Sequence, residues 1–280
     1  MERDGATQPL NHPTASSPAS SHYPAIPPPV RLSLVTTGQH ACPYLPGRVS
    51  SNRAFWAEEM PPAMYQSFMD AGFRRSGKVV YQPICKGCRQ CVPMRLAVDE
   101  FRPSKSQRRV WRRNTDLVVQ SGRPTPDQER FALYRKYITQ WHGKQSDDED
   151  ESYASFVSFL YDSPVPTLEY QYRDATGRLV GVGICDVGET SLSSVYFYHD
   201  PVEARRSLGT YSALFEIGQC LKMNIRHYYL GYWVDGCAAM AYKASYRPHQ
   251  ILLPDGIWRV RETGESSESA VVDSQLKPLM

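Results

Sequence analysis

Three groups of residues carry types and spacings suited to chemistry. The first is Cys85-Lys86-Gly87-Cys88-Arg89-Gln90-Cys91, with Cys42 upstream in Cys42-Pro43-Tyr44. A C-x2-C-x2-C run sets three thiolates on one tight loop, Gly87 lets the backbone turn, and Cys42 supplies a fourth ligand. Such a set suits zinc or an iron–sulfur cluster, and spacing alone does not choose between them. The same cysteines also fit a loop whose thiols are buried as small apolar side chains. The second group is Arg102–Arg113, RPSKSQRRVWRR, where Arg102, Lys105, Arg108, Arg109, Arg112 and Arg113 stand with one Trp and no acid. A phosphate backbone is the fitting partner, with the cations releasing counterions and Trp111 stacking on a base; a solvated basic face is the plainer reading. Arg74-Arg75 extends this patch. The third group, Tyr196–Tyr211, reads YFYHDPVEARRSLGTY. A tyrosine-rich strand ends at Asp200-Pro201, Arg205 and Arg206 follow in a loop, and Ser207-Leu208-Gly209-Thr210 opens a helix. A helix N-terminus beside two arginines is an anion site. Equally, Ser207 fits a simple N-cap and the arginines a surface pair.

Positioning these groups requires two kinds of element. Thr125-Pro126-Asp127-Gln128 predicts a helix start, with Thr125 as N-cap and Pro126 at N1. Phe131, Tyr134, Tyr137, Ile138 and Trp141 follow at helical spacing, and Tyr153, Phe156, Val157 and Leu160 suggest a second helix beyond the acidic run Ser146–Ser152. Alternation and turn residues predict strands over Thr167–Arg173, Arg178–Val187 and Ser191–Tyr198. A helix from about Leu208 to Met223, a strand Tyr228–Trp233, a short helix near Cys237–Ala244 and a strand near Ile257–Val260 complete the pattern. The fold class is α/β (α+β) with a mixed sheet and flanking helices.

The chain has 280 residues, a formal net charge of +3 and seven cysteines. The charge is too small for a general nucleic-acid coat, so polyanion contacts fall to the local clusters. Odd, irregularly spaced cysteines, no apolar leader and no run long enough to span a bilayer point to a reducing cytoplasm and no membrane partner. Residues 1–29 and 264–280 read as disordered tails, the first rich in Pro and Ser. Between them lie a cysteine-bearing and basic N-terminal domain, 30–116, and a second domain, 117–263.

Asp200–Gly209 (DPVEARRSLG), Tyr229–Trp233 (YLGYW) and Met240–Pro248 (MAYKASYRP) together resemble the bacterial branch of the arginyl-tRNA–protein transferase family of the N-degron pathway. Cys42–Gly47 (CPYLPG), Gly72–Gly77 (GFRRSG), the cysteine run and Phe101–Asn114 (FRPSKSQRRVWRRN) match in the same order. The resemblance spans about Cys42 to Leu253. It implies a GNAT-like sheet in residues 117–263 and an aminoacyltransferase that moves leucine from Leu-tRNA to proteins beginning with Asp or Glu, without contacting DNA. An arginine donor is the close alternative; a GNAT-type acetyltransferase and a non-catalytic RNA-binding module with structural zinc are the others. GNAT folds cradle the CoA pyrophosphate with [Q/R]-x-x-G-x-[G/A]. Arg206 and Gly209 match it, but Tyr211 replaces the second small residue, which argues against CoA and suits the 3′-terminal phosphates of tRNA. Arg205, Arg206, Ser207, Leu208, Gly209 and Thr210 then bind the donor. Eukaryotic relatives carry C-x-x-C at the first cysteine motif, where Leu45 departs from the pattern.

The implied chemistry needs no cofactor. The acceptor α-amine, with a pKa of about 7.7–8.0, is partly neutral in the cytoplasm, and the aminoacyl ester is already activated. Positioning and oxyanion donors therefore carry the reaction. Lys243, Arg247 and Arg74 are candidates for binding the acceptor's side-chain carboxylate. Tyr232, Tyr242 and Tyr246 are candidates for orienting the amine or donating to the oxyanion, with core packing the equal alternative. Tyr232, Lys243 and Tyr246 form the expected catalytic set. Asp235 reads first as a helix cap, and His199 and His227 read as structural.

Overall fold

The computed structural model describes residues 32–142 and 152–261, and every structural statement below concerns those residues. The tails 1–29 and 264–280 and the acidic positions Ser146–Glu151 lie outside them. The chain divides into two units, and the second, Leu34–Met280, holds every element described here.

The first stretch is built from short strands: β1 (Val35–Thr36), β2 (His40–Ala41), β3 (Val49–Ser50), β4 (Asn52–Trp56), β5 (Arg74–Ser76) and β6 (Val79–Pro83), with α1 (Pro62–Asp70) between β4 and β5. Strands β1, β4, β6 and β5 hydrogen-bond in that order, and β2 pairs with β3. Pro62 opens α1, where its fixed φ and missing N–H cost nothing. That helix buries Tyr65 and Met69 against Phe55, Phe73 and Val80. Next come β7 (Val92–Ala97) and α2 (Lys105–Arg113). The basic run is thus a helix, started by a reciprocal capping box: Gln107 N donates to Ser104 Oγ (3.2 Å) and Ser104 N to Gln107 Oε1 (2.8 Å).

Beyond residue 116 the elements are β8 (Val118–Gly122), α3 (Gln128–His142), α4 (Tyr153–Phe156), β9 (Thr167–Arg173), β10 (Leu179–Val187), β11 (Ser191–His199), α5 (Leu208–Lys222), β12 (His227–Trp233), α6 (Ala238–Ala241), β13 (Gln250–Leu252) and β14 (Trp258–Val260). The expected helix start moves by two residues. Asp127, not Thr125, caps α3, its Oδ1 accepting from Arg130 N at 2.8 Å. The second expected helix is a single α turn continued by a π turn, Val157–Tyr161.

An eight-stranded mixed sheet runs β14-β13-β7-β12-β11-β10-β9-β8. Strand β7, from before residue 116, pairs with both β12 and β13, so this sheet draws on both sides of that position. α5 covers one face with Leu208, Tyr211, Leu214 and Ile217 packed on Tyr170, Tyr172 and Val180. α3 and α4 cover the other with Leu133, Tyr134, Tyr137 and Phe156 against Val182, Ile184 and Tyr198. Buried on both faces, β10 (LVGVGICDV) is apolar almost throughout.

One junction departs from regular pairing. β11 and β12 are parallel, and their register runs only from Ser191↔His227 to Ser193↔Tyr229. Register shifts at Ile184/Cys185 in the β10–β11 pair and at Tyr229/Gly231 in the β12–β7 pair bend both strands. Past Ser193 and Tyr229 the strands separate, and a seam opens in the sheet.

Candidate active site

The seam holds a cavity of about 120 Å³, walled by Ser193, Ser194 and Val195 of β11, Leu230, Gly231 and Tyr232 of β12, and by Arg74, Lys243 and Met240. At ~30 Å³ per water, it has room for a few waters or one small side chain. Gly231 adopts φ +84°, and a Cβ there would meet Arg74 Nη2 at 3.4 Å and Lys243 Nζ at 3.5 Å. Glycine thus lets two cations flank the strand, in a backbone conformation that side chains resist.

Both cations are nearly sealed from solvent, each 8% exposed. Arg74 reaches from β5 and donates Nη2 to Ser194 O at 3.1 Å, while its Nη1 is buried with no hydrogen-bond partner. Lys243 comes from the 3-10 turn Tyr242–Ser245 and donates Nζ to Tyr232 O at 2.7 Å. Burial, then the adjacent Arg74 charge, pushes the Lys243 amine down to about 7. A buried guanidinium with an open donor beside an amine held near neutrality is a receptor for a carboxylate. Behind it, Arg75 and Asp186 form a fully buried ion pair at 2.6 Å, to which Tyr65 OH donates at 2.8 Å. This pair ties β5 to β10 and so holds Arg74 over the seam.

The other expected residues fall elsewhere. Tyr232 lines the cavity, yet its hydroxyl donates to Gly72 O at 2.8 Å. Tyr246 is fully buried, 6.1 Å from the Phe101 ring, and is not in the cavity wall. Tyr242 is 52% exposed. Arg247 is exposed and donates to Ala244 O. Asp235 is exposed, and Cys237 occupies the N-cap of α6 in its place. His199 packs between Tyr137 and Phe197, and His227 is half-buried on β12. Arg74, Tyr232 and Lys243 are therefore brought together, while Tyr246 and Arg247 stand apart. Ser193, Ser194, Gly231 and Tyr44 join the cavity unannounced; serines inside an apolar strand were the available signal.

At the turn Pro201–Arg206, the charges of Asp200, Glu203 and Arg206 are answered. Asp200 accepts from Lys136 and Arg178, each at 2.7 Å. Arg206 is held by Asp116 through two bonds of 2.9 Å and by Glu203 at 2.9 Å. Ser207 is left-handed (φ 56°) and makes no side-chain cap, so the N-cap alternative is not realised; Thr210 N donates to Ser207 O at 3.0 Å, and the N–H groups of Leu208 and Gly209 are left to other acceptors. Tyr211 fills the space a small residue would leave, with Trp111 at 5.3 Å and Tyr172 at 5.9 Å. Arg205 is exposed, and its carbonyl accepts from Arg113 of α2. Arg102, Lys105, Arg108, Arg109, Arg112 and Arg113 are all exposed, so α2 and the turn present one basic surface.

Cys42, Cys85, Cys88 and Cys91 line a second cavity of about 390 Å³, which shares Tyr44, Tyr81 and Tyr232 with the first. Gly87 turns the loop at φ +69°. Cys91 is pushed up to about 12 by burial and by the neighbouring Cys85, Cys42, Cys88 and Cys237 sulfurs. The donor chemistry suits a thiophilic metal, but among the described residues no three such side chains are gathered around one point.

Residues 40–109 and 129–253 match the N-terminal and C-terminal regions of arginine-tRNA-protein transferases. The aspartate/glutamate leucyltransferase of Pseudomonas entomophila (strain L48) is 39% identical over 80% of this chain and 94% of that protein. Its namesake from Pseudomonas fluorescens (strain SBW25) is 38% identical over the same shares, 80% and 94%. Among solved structures, L-PGS from Bacillus licheniformis matches at a TM-score of 0.43 and 11% identity, covering 80% of this chain and 72% of that one. The chain belongs to the arginine-tRNA-protein transferase family. Among the described residues no helix is long and apolar enough to cross a membrane.

Proposed function

We propose that this chain transfers leucine from Leu-tRNA to the α-amine of cytoplasmic proteins that begin with Asp or Glu, marking them for degradation. The observation that carries this reading is the pair of buried cations, Arg74 and Lys243, at the open seam between β11 and β12. The acceptor's side-chain carboxylate bridges Arg74 and Lys243, and its arrival favours the charged amine of Lys243. That anchorage sets the neutral α-amine in the seam. Facing edges of β11 and β12, no longer bonded to each other there, supply backbone donors for the tetrahedral oxyanion. The ester is activated before it arrives, so positioning is the main contribution of the protein. The 38–39% identity to relatives named aspartate/glutamate leucyltransferase supports leucine as the group transferred.

The exposed cations of α2 and the free N–H groups of α5 bind the tRNA acceptor end, with Arg205 between them. Metal analysis and an absorption spectrum of anaerobically purified protein distinguish zinc from an iron–sulfur cluster on Cys42, Cys85, Cys88 and Cys91.

Incubating the purified protein with radiolabelled Leu-tRNA or Arg-tRNA and peptides beginning with Asp, Glu, Lys or Ala tests the proposal. Leucine is expected on the Asp and Glu peptides alone. No leucine on either peptide overturns the reading, and arginine in its place reassigns the donor.

A further inference from the structure

Ser193 carries a buried hydroxyl with no partner inside the fold. The residue is fully buried on β11 and lines the seam cavity, and its Oγ makes no hydrogen bond. Its neighbours in the sheet explain why. Register places Ser193 opposite Asp186 of β10 on one side and Tyr229 of β12 on the other. Asp186 Oδ1 accepts from Arg75 Nη2 at 2.6 Å and Thr167 Oγ1 at 3.0 Å. Its Oδ2 accepts from Arg75 Nε at 2.6 Å and Tyr65 OH at 2.8 Å. Those bonds take up the places that a carboxylate offers. The Tyr229 hydroxyl donates to Asp70 Oδ1 at 2.5 Å and accepts from Arg95 Nη1 at 3.0 Å and Gln66 Nε2 at 3.2 Å. Both cross-strand neighbours are engaged, and the serine is left facing the cavity. A hydroxyl sealed from water with nothing to bond is destabilising, and alanine, of nearly the same shape, avoids that penalty.

A second orphan faces the same space. Arg74 Nη2 is anchored on Ser194 O, one residue along β11 from Ser193, and Arg74 Nη1 is buried without a partner. Lys243 lines the cavity with them, and the wall contains no carboxylate to answer any of the three. Ser193 also belongs to the last bonded pair of β11 and β12, so it stands at the closed end of the seam. A guanidinium and an ammonium only donate, and a hydroxyl can. The small group that accepts from all three at once is a carboxylate, with two oxygens and about four lone-pair sites.

We propose that Ser193 is a specificity-determining residue whose hydroxyl donates to the side-chain carboxylate of the acceptor's N-terminal Asp or Glu, beside Arg74. The inference rests on the leucyl-transfer reading and adds an uncharged third donor to its two cations. Arg74 and Lys243 supply the attraction for an anion. Ser193, short and rigid on its strand, marks how deep the carboxylate goes. The same hydroxyl therefore has opposite effects in the two states: it weakens the free protein, where nothing answers it, and tightens the complex, where the carboxylate does.

The test uses the full chain with Leu-tRNA and an Asp-initiated peptide, measuring kcat, both KM values and the Tm of each variant. Ser193→Ala is expected to raise the peptide KM about 20-fold, the usual loss for a hydrogen bond to a charged group. Its kcat and its KM for Leu-tRNA should stay within about threefold, the pattern of a lost binding contact. Its Tm should equal or exceed that of the wild type. In an Arg74→Met background, Ser193→Ala should add less than about threefold, because the carboxylate that both residues hold is already released. Full additivity of the two substitutions places them on different parts of the substrate and overturns the proposal. A wild-type peptide KM in Ser193→Ala overturns it too, water then being the partner of the hydroxyl, and leaves leucyl transfer standing. So does a lowered Tm with that KM unchanged, which gives the hydroxyl a partner within the fold. A lowered kcat with unchanged peptide KM also overturns it, moving Ser193 to the reacting atoms. A wild-type protein that moves no leucine to the Asp peptide sinks the function reading itself.

Discussion

Two cationic regions of this molecule look alike in sequence and differ in their partners. Arg206 ends a turn and is answered by Asp116 and Glu203, while Asp200 at the start of that turn is answered by Lys136 and Arg178. Arg74 and Lys243 face a cavity whose wall holds no carboxylate, and Arg74 keeps one donor atom without a partner. The first arrangement is complete in the free protein; the second becomes complete only when an anion enters. Charge that the fold has already spent holds the architecture, and charge left unspent in a dry place selects a ligand.

Substitutions can break that contrast, beginning with the largest effect. Arg74→Met should cut kcat/KM for Asp- and Glu-initiated peptides by about 100-fold or more, the cost of stranding a buried carboxylate, with KM for Leu-tRNA little changed. A loss confined to Leu-tRNA would reverse the roles of the two regions. Neutralising Arg108, Arg109 and Arg112 together should raise KM for Leu-tRNA by about tenfold and lower the salt slope by roughly 0.7–0.9 for each phosphate no longer neutralised. An unchanged slope removes α2 from the tRNA surface. Arg206→Ala should lower Tm, through the freed Asp116 and Glu203, while leaving KM for Leu-tRNA within about threefold, since its ion pairs are partly exposed and modest.

Lys243 sharpens the comparison through pH. Its folded pKa of about 7 lies below its ordinary 10.5, so its contribution to stability is present above 10.5 and is lost as pH falls through about 7. Lys243→Met should therefore raise Tm most below about pH 7, with the gain fading toward pH 10 as the wild-type amine loses its proton in both states. A constant gain at every pH would mean that packing, not charge, is responsible. The smallest effect is Ser207→Gly, which relieves a left-handed φ for about 1 kcal/mol; thermal unfolding of the pair measures it.

The strands β9 to β12 were legible because their burial is two-sided and their turns are marked by Gly and Asp, so the observed bounds lie within a residue of the expected ones. The strands before residue 84 were not, since two- and three-residue strands such as β1 and β5 have no periodicity to read. Arg74 and Lys243 were both named beforehand, but their meeting depends on an inserted residue at Leu230 and on the φ of Gly231. Neither is written in local pattern. The partners of the arginine turn were not legible either: Asp116 lies 90 positions from Arg206, and only the fold pairs them.

The parting of β11 and β12 also fixes how the two substrates meet. A gap through a sheet can be entered from either side, so donor and acceptor need not queue for one doorway. Both can be present at once, and neither must leave a fragment behind for the other to collect. Steady-state rates measured over a grid of both concentrations should accordingly give intersecting lines, the signature of a sequential encounter, where a parallel set would require an enzyme-bound leucyl group.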